Sequence, residues 1–149
     1  MESPLLNKSL EFATQIVLFY EEYSKSKRDT TIAKQLLRSA TSVGANINEA
    51  IYWNSKPDFI SKLHFSLKEV SESIYWLILL RNTKLFEYNY DDSIKLAEEI
   101  KRMLISSINT AKKNNKWMHH IIVLPCQKST RFVRVLSILL ITYSLFTIP

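Results

Sequence analysis

A single glycine in 149 residues constrains this chain more than any motif it carries. Tight turns and left-handed backbone depend on glycine, and only four prolines stand beside it as turn material. Scarce connections favour long helices over many short strands. The glycine, Gly44, falls inside LLRSATSVGANINEA, residues 36–50, where the surrounding pattern is helical. A glycine in a helix interior costs about 1 kcal/mol relative to alanine, so the position calls for a reason. Ala40 and Gly44 lie four apart on one apolar stripe, and Ala45 and Ala50 keep the neighbouring surface low. Small residues at that spacing let a second helix approach closely. Close helix packing is therefore the expected use of Gly44; one glycine makes neither GxGxxG nor a P-loop.

Apolar periodicity then divides the chain. From about Asn7 to Ser24, Leu6, Leu10, Ala13, Val17 and Tyr20 recur at steps of three and four, with Phe12, Ile16, Phe19 and Tyr23 widening the stripe. SKSKRDT breaks the pattern, and Asp29, Thr30 or Thr31 can cap the next helix. A second helix is predicted from about Thr31 to Tyr52, its stripe formed by Leu36, Leu37, Ala40, Val43, Gly44, Ile47, Ala50 and Ile51. Ser55 is the N-cap candidate of a third helix, about Lys56 to Asn82, with Pro57 and Asp58 in its first turn. Ile60, Leu63, Leu67, Val70, Ile74 and Leu77 form its seam, and IYWLILL, residues 74–80, is apolar all round. A helix apolar on every face needs more than one neighbour, so Tyr75 and Trp76 are expected at a subunit contact. A fourth helix runs from about Asp91 to Asn114, with Leu96, Ile100, Met103, Leu104, Ile108 and Ala111 inward. Four helices of similar length on short connections predict an all-α, antiparallel, up-down-up-down four-helix bundle over residues 1–116. Residues 117–149 form a separate, atypical apolar C-terminal tail.

Charge is unevenly spread. Residues 1–100 carry 12 basic and 14 acidic side chains, whereas residues 101–149 carry 8 basic and no acidic ones. Such asymmetry marks chains that meet anionic partners, nucleic acid or a membrane surface. Lys34 and Arg38 share a face of the second helix, and Lys101, Arg102, Lys112, Lys113 and Lys116 line the far half of the fourth. In an up-down bundle the end of the fourth helix and the first loop, with Lys25, Lys27 and Arg28, lie at opposite poles, so the cations form two patches. Lysines at a helix C-terminus also suit the helix dipole.

The segments QLLRSATSVGANINEA and SKPDFISKLHFSLKEVSESIYWLILL are where the chain becomes recognisable. Leu37, Arg38, Ser39, Ala40, Ser42, Val43, Ala45, Asn46, Ile47 and Glu49 occupy one pattern; Phe59, Leu63, Ser66, Leu67, Glu69, Glu72, Tyr75, Trp76 and Leu77 occupy a second. Together they resemble the bacterial four-helix-bundle family encoded by intervening sequences within 23S ribosomal RNA genes, over about residues 5–114. The resemblance implies an antiparallel four-helix bundle. It also implies similarity to the accessory subunit of diversity-generating retroelements, a ring of five that associates with a reverse transcriptase and nucleic acid. On that basis a homo-oligomer, pentameric by resemblance, is expected, with Ala40, Gly44, Ile47, Tyr75 and Trp76 at helix-packing or subunit contacts in helices two and three.

Chemistry of other kinds finds little support. Glu49, Glu69 and Glu72 invite a metal site, but ferritin-like centres need Glu-x-x-His motifs, and none occurs. Cys126 is the only cysteine, which excludes a disulfide or a four-thiolate site within one chain and suits a reducing cytoplasm. His119 and His120 are adjacent and so diverge by about 100° on a helix. His64 is expected as a partly buried packing residue beside the third helix's seam, and Trp53, Trp76 and Trp117 as core or interface aromatics. No catalytic, cofactor or metal residue is assigned. The N-terminus lacks a basic stretch leading into an apolar one, so no signal peptide is read. Val135 to Ile148 is uncharged for 14 residues, short of the roughly 20 that span a bilayer. A membrane span is not expected. An interfacial anchor, an extended strand and fused sequence from another reading frame stay open for the tail. The expectation is a cytoplasmic, non-enzymatic accessory or scaffolding bundle binding RNA, DNA or a nucleic-acid enzyme, with Arg38, Lys101, Arg102, Lys112 and Lys113 as binding residues. The alternatives are a protein-interaction ring without nucleic acid and a bundle attached to a membrane by its C-terminal segment.

Overall fold

A computed structural model describes residues 3–113; the expectations for Trp117, His119, His120, Cys126, Lys116 and the tail lie outside the described residues. Four helices occur in order: α1 (Pro4–Lys25), α2 (Thr31–Ile51), α3 (Lys56–Thr83) and α4 (Tyr90–Lys113). Each packs on its sequence neighbours, and α1 closes the ring of contacts against α4. The result is the all-α four-helix bundle.

Local chemistry sets the helix ends. Ser3 precedes Pro4 and its hydroxyl accepts from the Leu6 amide, so α1 starts earlier than the periodicity indicates. Ser55 caps α3 by accepting from the Asp58 amide at 3.3 Å. At the α2 start the Asp29 carboxylate accepts from the Thr31 amide at 2.7 Å, and hydrogen bonding to the Thr31 side chain, with this amide second, holds its pKa below the usual carboxylate value. With no glycine to spare, the left-handed turn residues are lysines: Lys27 at φ 57° and Lys84, the C-cap of α3, at φ 53°.

The core runs the length of the bundle. Phe12, Ile16 and Phe19 of α1 meet Leu36 and Val43 of α2, Leu63, Val70 and Leu77 of α3, and Ile100 and Leu104 of α4, all essentially solvent-free. Five serines are buried with them: Ser9, Ser39, Ser66, Ser73 and Ser93. Each hydroxyl is satisfied. Ser66 donates to the Val43 carbonyl at 3.0 Å, and Ser73 lies 2.8 Å from the Ser39 hydroxyl, which bridges α3 to α2. A serine occupies little volume and meets its own hydrogen-bonding need on a nearby carbonyl, so α2 and α3 approach closely where these residues face each other. Gly44 does the same between α2 and α1. A methyl group placed there would sit 3.4 Å from the Ser9 hydroxyl oxygen.

At one pole the α3–α4 connection folds an aromatic group onto the end of α1. Phe19 and Tyr88 rings are 4.7 Å apart, Tyr23 and Phe86 5.2 Å, and Tyr88 and Tyr90 5.0 Å. Burial pushes the Tyr90 phenol up to about 12, with Tyr23 and Tyr88 adding to the shift. At the other pole the Lys56 ammonium reaches the Lys112 carbonyl, joining the start of α3 to the end of α4.

Two sequence expectations are corrected. In α1 the buried set is Leu5, Ser9, Phe12, Ile16, Phe19 and Tyr23, while Leu10 and Val17 are 66% and 47% exposed. Leu6 and Tyr20 pack against the margin of the core and Ala13 is half-buried, while Leu10 and Val17 face outward, because the heavier aromatic stripe fills the core volume. His64 is exposed on α3 and is no packing residue.

Candidate nucleic-acid interface

The five cations singled out in the sequence do not converge. α2 packs on α1 and α3, and α4 on α3 and α1, so α2 and α4 stand diagonally across the bundle. Arg38 is exposed on α2 and belongs to a different face from the other four. Lys101, Arg102, Lys112 and Lys113 all lie on α4, and they divide by helical register. Ser93, Ala97, Ile100, Leu104, Ile108 and Ala111 define the buried side. Glu99 pairs with Lys8 of α1 at 2.9 Å and marks the α1 flank. Counting on by 100° per residue puts Lys101 and Lys112 on the α3 flank and turns Arg102 and Lys113 to the outer surface.

Their electrostatic states differ. The Lys101 ammonium is 3.8 Å from Glu98, a loose i,i+3 pair. Arg102, Lys112 and Lys113 are exposed and have no carboxylate within 4 Å among the described residues. Lys112 and Lys113 occupy the last turn of α4, where the negative end of the helix dipole stabilises them. Across the α3–α4 groove stands Lys68, also exposed and without an acidic partner among the described residues. The cationic surface thus extends onto α3, through a residue that sequence reasoning left out. The signal was its place on the outer face of α3, which shows only once the seam's register is fixed.

The carboxylates weighed as metal ligands go elsewhere. Glu49 binds the Lys62 ammonium of α3 and raises its pKa above the ordinary value. Glu72 accepts from the Trp76 indole N–H at 3.2 Å. Among the described residues no group of three or more His, Cys, Asp or Glu side chains comes together.

Ala40 and Ile47 are buried within the protomer, and Gly44 faces Ser9 of α1. Tyr75 is 59% exposed; Trp76 is half-buried, its ring 4.9 Å from that of Tyr75. A hollow of about 370 Å³ between α1 and α2 is lined by Leu6, Leu10, Ala13, Thr41, Gly44 and Asn48 among others, with no titratable side chain. No helix among the described residues is long and apolar enough to cross a membrane.

Residues 2–106 match the 23S rRNA-intervening sequence protein family. The chain belongs to that family. A crystal structure of a protein with unknown function from the S23 ribosomal protein family of Bacteroides thetaiotaomicron VPI-5482 superposes with a TM-score of 0.67 at 43% identity, covering 70% of this chain and 97% of that one. No curated protein matches this chain. The family match ends in the second half of α4, after Lys101 and Arg102 and before Lys112 and Lys113.

Proposed function

We propose that this family member is a non-enzymatic accessory bundle that holds RNA or DNA against the cationic half of α4. The observation that carries the reading is the set of Arg102, Lys112 and Lys113, exposed on one helix with no acidic partner among the described residues. Surface cations that are already paired must give up their partner to meet a phosphate; these need not. Phosphate contacts of this type confer affinity with little sequence preference. Arg38 lies across the bundle and joins this surface only if a second copy brings it alongside. A reverse transcriptase or another nucleic-acid enzyme is the matching class of protein partner.

Titrating a labelled RNA with the full-length protein and with its Lys112→Glu/Lys113→Glu variant tests the reading. The variant is expected to bind every sequence more weakly by a similar factor. Equal affinity of the two proteins would overturn it.

A second reading draws on the α1 surface, where Leu10, Val17 and Leu18 are 66%, 47% and 56% exposed and Leu10 also lines the hollow over Gly44. An apolar strip of this kind suits self-association into a protein-interaction ring. Leu10→Gln/Leu18→Gln should then lower the mass found by analytical ultracentrifugation without altering the helical circular dichroism. An unchanged mass would remove this reading.

A further inference from the structure

Resting on the nucleic-acid reading above, we propose that the outer face formed by α3 and α4 takes single-stranded nucleic acid, with Tyr75 and Phe65 as stacking platforms among the cations. Phe65 is 53% and Tyr75 59% exposed, the two most exposed aromatic residues of α3, and Ile105 of α4 is 42% exposed. Neither ring is needed by the core, whose α3 contribution comes from Leu63, Val70, Ile74, Leu77 and Leu80. Tyr75 is braced edge-on by the Trp76 ring, and Trp76 is held by its bond to Glu72. A braced ring is ordered before it meets a ligand, which lessens the entropy lost on stacking.

Register places Tyr75 on one outer strip of α3 with Lys68 and His64. The α4-facing flank of α3 is marked by Arg81, which pairs with Asp91, and by Lys56, which reaches the end of α4. Tyr75, His64 and Lys68 lie on the outer side of that flank; with Arg81 level with Asp91 and Lys56 with Lys112, Lys68 stands level with Lys101 and Arg102, and Tyr75 nearer to Glu98, while Phe65 is turned toward α2. The acidic groups on the same surface are Glu69, one turn from Phe65 on its α2 side, Glu72, engaged with Trp76, and Glu98, beside Lys101. Phe65 and Tyr75 are ten residues apart on α3, about 15 Å along the axis and about 80° around it, so a strand winding over the outer face of α3 can meet one ring and then the other, with Lys68 between them. A duplex keeps its base faces closed and offers these rings nothing to stack on. A single strand offers a π-face at every base, and each stacked base contributes substantially to affinity whatever its identity.

The test uses the full-length protein, a fluorescent oligouridine and a duplex RNA, each about 20 nucleotides long to exceed the usual span of one small binding domain, in low salt. The single strand should bind more tightly. Tyr75→Ala should weaken the single strand by roughly tenfold and leave duplex binding unchanged. Tyr75→Trp should keep or raise the single-strand affinity, and Lys112→Glu should weaken both. Since Tyr75 is exposed, the Tyr75→Ala variant should melt with the parent. If strand and duplex bind alike and Tyr75→Ala alters neither, the stacking proposal falls while the cationic reading stands. A preference for duplex also overturns it. If neither RNA binds, both readings fall together.

Discussion

Replacing Gly44 with alanine should stabilise this protein, although the glycine faces Ser9 of α1 across the α1–α2 contact. A Cβ at that position would lie 3.4 Å from the Ser9 hydroxyl oxygen, 3.8 Å from its Cβ and 3.9 Å from its carbonyl oxygen. These are ordinary van der Waals separations, and the nearest atom is the end of a small side chain. Against that mild contact stands the intrinsic helix preference, about 1 kcal/mol in favour of alanine. The balance is a gain of about 0.5–1 kcal/mol, or a rise of roughly 2–5 °C in Tm for a domain of this size. Valine reverses the sign. Its two further methyl groups must enter the space held by the Ser9 backbone, and overpacking of this kind costs about 1–3 kcal/mol. Urea denaturation monitored by circular dichroism measures both, and the slope should stay constant while the midpoint moves. A Gly44→Ala protein less stable than the parent by about 1 kcal/mol, the full helix-preference term, would refute the reasoning. The α1–α2 spacing would then be tighter than a methyl tolerates.

The geometry sets three further outcomes. Lys84→Gly should stabilise by up to about 1 kcal/mol in the same urea assay, because the lysine sits at φ 53°, where a side chain is penalised and glycine is not; a loss of stability would show that the Lys84 side chain makes a contact worth more than the strain. Ser39→Ala and Ser73→Ala, singly and together, should give non-additive losses with a coupling of about 1 kcal/mol, since their hydroxyls are 2.8 Å apart and fully buried; additive losses would contradict the bridge. For Tyr90 the folded state raises the phenol's pKa to about 12, so its contribution is complete below the unfolded value of about 10 and is lost as pH rises from about 10 toward about 12. Allowing for solvent screening near the bundle's rim, the loss is on the order of 1–2 kcal/mol; Tyr90→Phe should therefore unfold at higher pH than the parent in an alkaline titration, and an unchanged midpoint would count against the burial argument.

Much of this fold was legible because its signals repeat. Four segments of apolar periodicity, Ser55 as a cap, Asp29 before α2 and the near-absence of glycine all point to one bundle, and α2 and α4 bury most of the residues their stripes select. The α1 stripe was drawn too wide, taking in the exposed Leu10 and Val17 beside the buried Phe12, Ile16, Phe19 and Tyr23, for a physical reason. Its apolar residues cover more than half the helix circumference, so periodicity admits two inward faces; volume decides between them, and the set containing Phe12, Phe19 and Tyr23 is the larger. The buried serines were invisible to a hydrophobic pattern. Ser66 and Ser73 recur seven apart on the α3 face that meets α2, a spacing that could have flagged them as small packing residues. The α4 cations stood out in the sequence alone. Arg38 could not be separated from them there, because which helices stand diagonally depends on how the bundle closes. Lys68 went unremarked, since a lone lysine on a long helix has no visible neighbours until α3 and α4 are paired.

If the exposed cations of α4 read phosphates, the most direct test is the salt dependence of RNA binding by the full-length protein. With about four phosphates neutralised, affinity should fall roughly 50-fold between about 50 and 200 mM salt, and the Lys112→Glu/Lys113→Glu variant should show a shallower slope. Binding that is indifferent to salt, or absent at the lower concentration, would contradict the account and direct attention to the apolar surface of α1 instead.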